Sequence, residues 1–178
     1  MSTQAIARRY AGALFEAARE KGDPLEFASA LEQVSRTLDE NADFRRLIYH
    51  RLFPVREKQK IMVAAFPDFN PLLMNFLNLV LYKGRERALP EIALQFRRLV
   101  DRENKVMPVE LRSAVPLPEE VTAALKQRLA EITGHKIRLH NKIDPAILGG
   151  IIIRLGDRVL DASLKKKLEL MALHLKKA

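Results

Sequence analysis

The sequence predicts a mainly α-helical protein: an N-terminal six-helix bundle over residues 1–105, then a small α+β domain over 106–178 in the order β-α-β-β-β-α. Three observations carry that prediction. Apolar residues recur with the helical period, and without strand-like alternation, as far as residue 105. Proline, glycine, Asp and Asn cut that stretch into six pieces with short connections. At Val109 the period changes to two.

The first helix runs from Gln4 to Lys21, with Ile6, Tyr10, Ala13, Leu14 and Ala17 at helical spacing, and Gly22 stops it. Asp23 caps the second, with Pro24 at its first position. That helix carries Phe27, Leu31, Val34 and Leu38 and ends near Asn41. A short helix spans Ala42 to Tyr49, and Pro54 opens a fourth. Asn70-Pro71 opens the fifth and most apolar, which runs through Lys83 to Gly84. Pro90 starts the sixth, with Ile92, Phe96, Leu99 and Val100. The domain boundary falls in the polar stretch Asp101 to Pro108.

In the second domain, Val109, Leu111 and Ser113 alternate with Glu110 and Arg112 as a strand. After Pro116 and Pro118 comes a helix with the stripe Val121, Leu125, Leu129 and Ile132, closed by Gly134. Ile137 and Leu139 mark a second strand. Ile151–Ile153 and Val159–Leu160 give two more, joined by the hairpin turn Gly156-Asp157. A last helix begins at Ser163, read as its N-cap, and reaches about Lys177.

Composition excludes much chemistry. Hydrophobic residues are 48% and charged residues 30% of the chain, against about 45–50% and about 25% in ordinary globular domains. There is no cysteine, so thiol catalysis, disulfide scaffolds and thiolate metal sites are out. His135 and His140 have Lys136 and Arg138 between them, which opposes a metal. Gly149-Gly150 lacks the spacing of a phosphate loop and reads as a turn or a close backbone approach. Asp161, Ser163 and His174 lack a nucleophile elbow. The residues call for no enzyme, no cofactor and no metal. Net charge is +9, with both signs interspersed. No aromatic residue lies beyond Phe96, so the strands offer no base-stacking platform and nucleic acid is not expected as a partner. The best apolar run, Leu72 to Tyr82, is too short to span a bilayer, and no lipid insertion is expected. Nothing at the N-terminus reads as a signal peptide, which places the protein in the cytoplasm.

Two helices carry more apolar surface than one stripe. The first has Ile6, Tyr10, Ala13, Leu14 and Ala17 on one side, and Ala7, Ala11, Phe15 and Ala18 on another. The fifth has Leu73, Phe76, Leu77, Val80 and Leu81, with Leu72, Leu79 and Tyr82 beside them. An all-round apolar helix is normally buried. Either these two helices form the centre of the bundle, or they leave a shared groove for an amphipathic helix from a partner. On the last helix Leu164, Leu168, Met171 and Leu175 repeat as a coiled-coil seam or as a stripe packed on the sheet.

Across nearly its whole length the chain resembles the delta subunit of F-type ATP synthases, the family of the mitochondrial oligomycin-sensitivity-conferring protein. The resemblance is carried by Ala7-Arg8-Arg9-Tyr10-Ala11-Gly12-Ala13-Leu14-Phe15, by Asn75-Phe76-Leu77-Asn78-Leu79 through Lys83-Gly84-Arg85, and by Leu89-Pro90-Glu91-Ile92. It continues through Ser113-Ala114-Val115-Pro116-Leu117, Ile143-Asp144-Pro145 and Leu148 to Asp157, then Val159 to Leu164. It implies a non-catalytic stator subunit. The N-terminal domain would hold N-terminal segments of the alpha subunit in a groove between the first and fifth helices. The C-terminal domain would hold the subunit b dimer of the peripheral stalk. The protein would then sit at the cytoplasmic face of the bacterial cell membrane, peripheral through the complex. On this sequence the groove positions are Tyr10, Ala13, Phe76 and Leu79, extended by helical spacing to Ile6, Ala17, Val80 and Lys83. The seam residues Leu164, Leu168, Met171 and Leu175 are expected at the stalk. Where the family commonly has Asp-Gly-Ser, this chain has Asp161-Ala162-Ser163, so the turn there is either undemanding or slightly strained. The residues alone leave two rival readings: a helical adaptor of another assembly, or a basic nucleic-acid-binding module.

Overall fold

The computed structural model describes residues 3–175, with side chains as far as residue 171. The protein is mainly helical with a small mixed four-stranded sheet, and it divides into two compact units, Met1–Val100 and Asp101–Ala178.

The helices of the first unit are α1 (Thr3–Lys21), α2 (Pro24–Glu40), α3 (Ala42–Tyr49), α4 (Val55–Ala65) and α5 (Pro71–Tyr82), followed after a 3-10 turn (Glu86–Ala88) by α6 (Leu89–Glu103). The starts of α2, α3 and α5 are set by side-chain caps. The Asp23 carboxylate accepts from the Leu25 amide (2.8 Å), Asn41 from Phe44 (2.9 Å) and Asn70 from Leu72 (3.0 Å). Each satisfies one amide that the helix itself leaves unpaired. One core then binds these helices, with Phe27, Leu31, Met62, Leu77, Ile92 and Phe96 among its fully buried members. Each such side chain contributes roughly 1.5–3 kcal/mol by leaving water. Phe15 of α1 meets Phe96 of α6 edge-on at 6.0 Å.

The second unit runs β1 (Val106–Ser113), α7 (Glu119–Thr133), β2 (Lys136–Ile143), β3 (Ile151–Leu155), β4 (Arg158–Asp161) and α8 (Leu164–Leu175), with a 3-10 turn at Pro145–Ile147. The sheet order is β2-β1-β3-β4. β1 pairs parallel with β2, the two being joined through α7, and antiparallel with β3; β3 and β4 form the Gly156-Asp157 hairpin. The core here is small: Val109, Leu111, Leu129 and Ile153.

The polar stretch 101–108 holds the end of a helix, a turn and the start of a strand. α6 continues to Glu103, Lys105 turns the chain at φ +52°, and β1 begins at Val106. Pro108 is tolerated inside β1 because pairing with β3 starts only at Val109, so its missing amide costs no bond on that side. Ala162 is not in the left-handed region; among the described non-glycine residues only Lys105 and Leu148 are. The Asp161-Ala162-Ser163 turn is therefore undemanding, and the glycine-dependent position lies at Gly150 (φ +78°).

Candidate functional site

α1 and α5 each bury one apolar stripe and leave a second partly open, although Ile6 and Leu14 of the second stripe on α1 are buried as well. On α1, Ala7, Ala11, Phe15 and Ala18 are buried, while Ala13 is exposed and Tyr10 and Ala17 are half-buried. On α5, Leu73, Leu77, Val80 and Leu81 are buried, and Leu72, Phe76 and Leu79 lie toward solvent. The outward stripes bound a groove of about 630 Å³. Its floor is the edge-on contact of Tyr10 with Phe76, ring centroids 6.2 Å apart. Leu79, on its wall, is 47% exposed.

Six of the eight expected groove residues line it: Ile6, Tyr10, Ala13, Ala17, Phe76 and Leu79. Two do not. Val80 has no exposed surface and belongs to the core stripe, one step round the helix from Phe76. Lys83 lies just beyond the end of α5, and its Nζ sits 5.4 Å from the centre of the Tyr82 ring. The lining also includes Arg9, Asn75 and Arg85, polar residues that an apolar stripe does not reveal. Arg9 and Arg85 are the charged residues of the lining, so the groove is apolar with a basic border.

In the second unit the start of α8 is tightly held. The Leu164 amide donates to the Gly149 carbonyl (2.9 Å) and the Ala162 amide to the Ile151 carbonyl (3.0 Å). Ser163 is buried, and its Oγ accepts from the Lys166 amide (3.2 Å) as the N-cap. The Asp161 carboxylate accepts from the Ser163 amide (2.9 Å). Hydrogen bonds from the Ser163 hydroxyl, and then from its backbone N–H, hold the Asp161 carboxyl below the usual carboxylate range. A depressed carboxyl contributes stability that is present above its unfolded pKa and lost as pH falls through its lower folded pKa. Ser163→Ala is accordingly expected to cost about 1 kcal/mol and to return the Asp161 pKa upward. Urea titration and an NMR pH titration of the Asp161 carboxyl measure the two effects.

Beyond this cap the seam is open to solvent. Leu164, Leu168 and Met171 are 50–57% exposed, so they do not form a stripe buried on the sheet. The side chain of Leu175 lies outside those described. Edge strand β4 exposes Val159 and Leu160 as well. No group of three or more potential ligands among the described residues is placed to hold a metal ion. His135 turns its Nδ1 to the Thr133 carbonyl oxygen (2.7 Å).

A family model described as "ATP synthase delta (OSCP) subunit" matches residues 6–175. The ATP synthase subunit delta of Moorella thermoacetica is 64% identical over the full length of both chains. That of Carboxydothermus hydrogenoformans is 35% identical over 94% of this chain and 95% of its own. Among solved structures, a chain of the Toxoplasma gondii mitochondrial ATP synthase hexamer shares the fold, with a TM-score of 0.71 over 95% of this chain and 96% of that one, at 24% identity.

Proposed function

The chain belongs to the ATP synthase delta (OSCP) family of non-catalytic stator subunits of F-type ATP synthase, and from this we propose that its helical unit grips the catalytic head while its second unit holds the peripheral stalk. Family membership decides against both the adaptor of another assembly and the nucleic-acid module. The observation that carries the division of labour is the pair of unpartnered apolar surfaces, one on each unit. The six helices act as a bundle whose α1–α5 groove takes an amphipathic helical segment from the N-terminus of the alpha subunit. The open seam of α8, with Leu164, Leu168 and Met171, takes the subunit b dimer. No helix among the described residues is long and apolar enough to cross a membrane; the protein attaches through the complex, on the cytoplasmic face of the bacterial cell membrane.

The work is mechanical. The rotor exerts torque on the head, and a stator link must resist it without letting go. Slow dissociation is the relevant quantity, and apolar helix-in-groove burial supplies it mainly through the off-rate. A standard interface buries about 800 Å² per partner.

Adding this protein to membranes stripped of head and delta subunit, together with purified head, is expected to restore ATP-driven proton pumping. Pumping that stays at the stripped level would refute the stator reading for this chain. Leu168→Asp, which places a charge in the middle of an exposed seam, is expected to weaken binding of a soluble subunit b fragment at least tenfold, about 1.4 kcal/mol. The melting temperature should stay within a degree or two, because Leu168 is 57% exposed already. Isothermal titration with that fragment checks both the affinity and the assignment.

A further inference from the structure

Away from the α1–α5 groove, a second recess of about 440 Å³ lies where the α3–α4 connection meets the end of α5 and the following 3-10 turn. Its walls are apolar and aromatic, with Phe53, Val55, Leu81 and Tyr82 among them. At its base Lys58 donates to Glu86 Oε1 at 2.6 Å, with side chains only 4% and 12% exposed. The second carboxylate oxygen, Glu86 Oε2, is buried and has no hydrogen-bond partner among the described residues.

Charge sets what the recess can take. Lys58 and Glu86 neutralise each other, which leaves Arg51 and Arg87 on the lining, both exposed and neither in an ion pair among the described residues. Between Arg51 and Phe53 the chain displays Leu52 at 87% exposure. Burial also pushes the Tyr49 hydroxyl, on the same lining, above its ordinary pKa. The recess therefore offers two guanidinium groups to carboxylates and apolar walls to an apolar side chain.

We propose that this recess is a second docking site, which takes an acidic polypeptide segment of another subunit of the complex: its carboxylates pair with Arg51 and Arg87, and an apolar side chain fills the space beside Phe53 and Tyr82. A free inorganic anion would meet the charge and leave the apolar walls bare. The inference rests on membership of the complex and not on occupancy of the α1–α5 groove.

The test places the photo-reactive amino acid p-benzoylphenylalanine at Leu52 in the full-length chain, within the reconstituted ATP synthase, and sequences the cross-linked peptide by mass spectrometry. A single cross-linked segment from another subunit, with Asp or Glu on either side of an apolar residue, is expected. In an Arg51→Glu, Arg87→Glu background the yield should fall about tenfold or more. That variant should keep wild-type affinity for an alpha-subunit N-terminal peptide, which separates loss of docking from misfolding and from failure of the groove assignment. A neutral or basic segment, a cross-link between two copies of this chain, a yield indifferent to the charge reversal, or no cross-link at all would overturn the proposal.

Discussion

Ala13→Arg is expected to weaken binding of an alpha-subunit N-terminal peptide at least a hundredfold, about 2.7 kcal/mol, while the protein stays folded. Ala13 is exposed and lies on the groove lining between Tyr10 and Ala17. A methyl group there lets a partner helix come close; an arginine occupies part of the 630 Å³ and brings a charge that the apolar floor of Tyr10 and Phe76 cannot pair. The added cation also joins Arg9 and Arg85 on a lining that holds no carboxylate. Stability is nearly untouched, since alanine and arginine differ by only a few tenths of a kcal/mol at an exposed helical position. Circular dichroism and thermal melting establish the fold, and a fluorescence titration with the labelled peptide measures the loss. A folded variant that binds as tightly as the parent would remove the groove from the head interface. Val80→Ala is the informative contrast. Val80 is wholly buried, so the cavity lowers the melting temperature, and its effect on peptide affinity should be small in the folded protein.

That contrast marks how far the sequence could be read. The starts of α2, α3 and α5 were visible because they are enforced locally: Asp23-Pro24, Asn41 and Asn70-Pro71 are caps whose bonds the structure contains. The groove was visible as an excess. α1 has two apolar stripes where one suffices; the structure buries the one through Ala7, Ala11 and Ala18, and of the other it buries Ile6 and Leu14 and leaves Tyr10, Ala13 and Ala17 half-buried or exposed. Periodicity does not say which edge of a wide stripe faces inward. On α5 the division falls between Phe76 and Val80, and it depends on neighbours from other helices. Arg9, Asn75 and Arg85 escaped because polar residues on a helix surface leave no periodic signal. The Lys58–Glu86 recess was invisible for a different reason. Its two ionic members are 28 residues apart and meet only through tertiary packing. Gly149-Gly150 was legible as a close backbone approach, and the structure supplies what approaches it.

Gly150→Val is expected to unfold the second unit while the helices of the first keep their signal. Gly150 has φ +78°, and a Cβ there would collide with the carbonyl oxygen of Ala162. The positive φ alone costs a β-branched residue about 1–3 kcal/mol. The collision adds to this, because neither backbone is free to retreat. Ala162 is pinned to Ile151 and Leu164 to Gly149 by the bonds that start α8, and Gly149 itself is packed so closely that a Cβ would lie 2.6 Å from Leu164 Cδ1. Moving the turn would break those bonds and the Ser163 cap together. Among the described residues the buried cluster of this unit is Val109, Leu111, Leu129 and Ile153, with Ile147 buried outside it, which leaves little to offset a loss of about 3 kcal/mol or more. Hydrogen exchange should show the amides of β3, β4 and α8 losing protection while those of α1, α5 and α6 retain it. Subunit b binding should vanish and alpha-peptide binding persist. Gly12→Ala is the control for glycine replacement as such: nothing lies within 4 Å of its would-be Cβ, and in a helix interior the change should stabilise by about 0.5–1 kcal/mol. Unaltered protection of β3 and β4 in Gly150→Val would mean that the turn can shift without cost, and that the junction of strand and helix is held by something other than this contact.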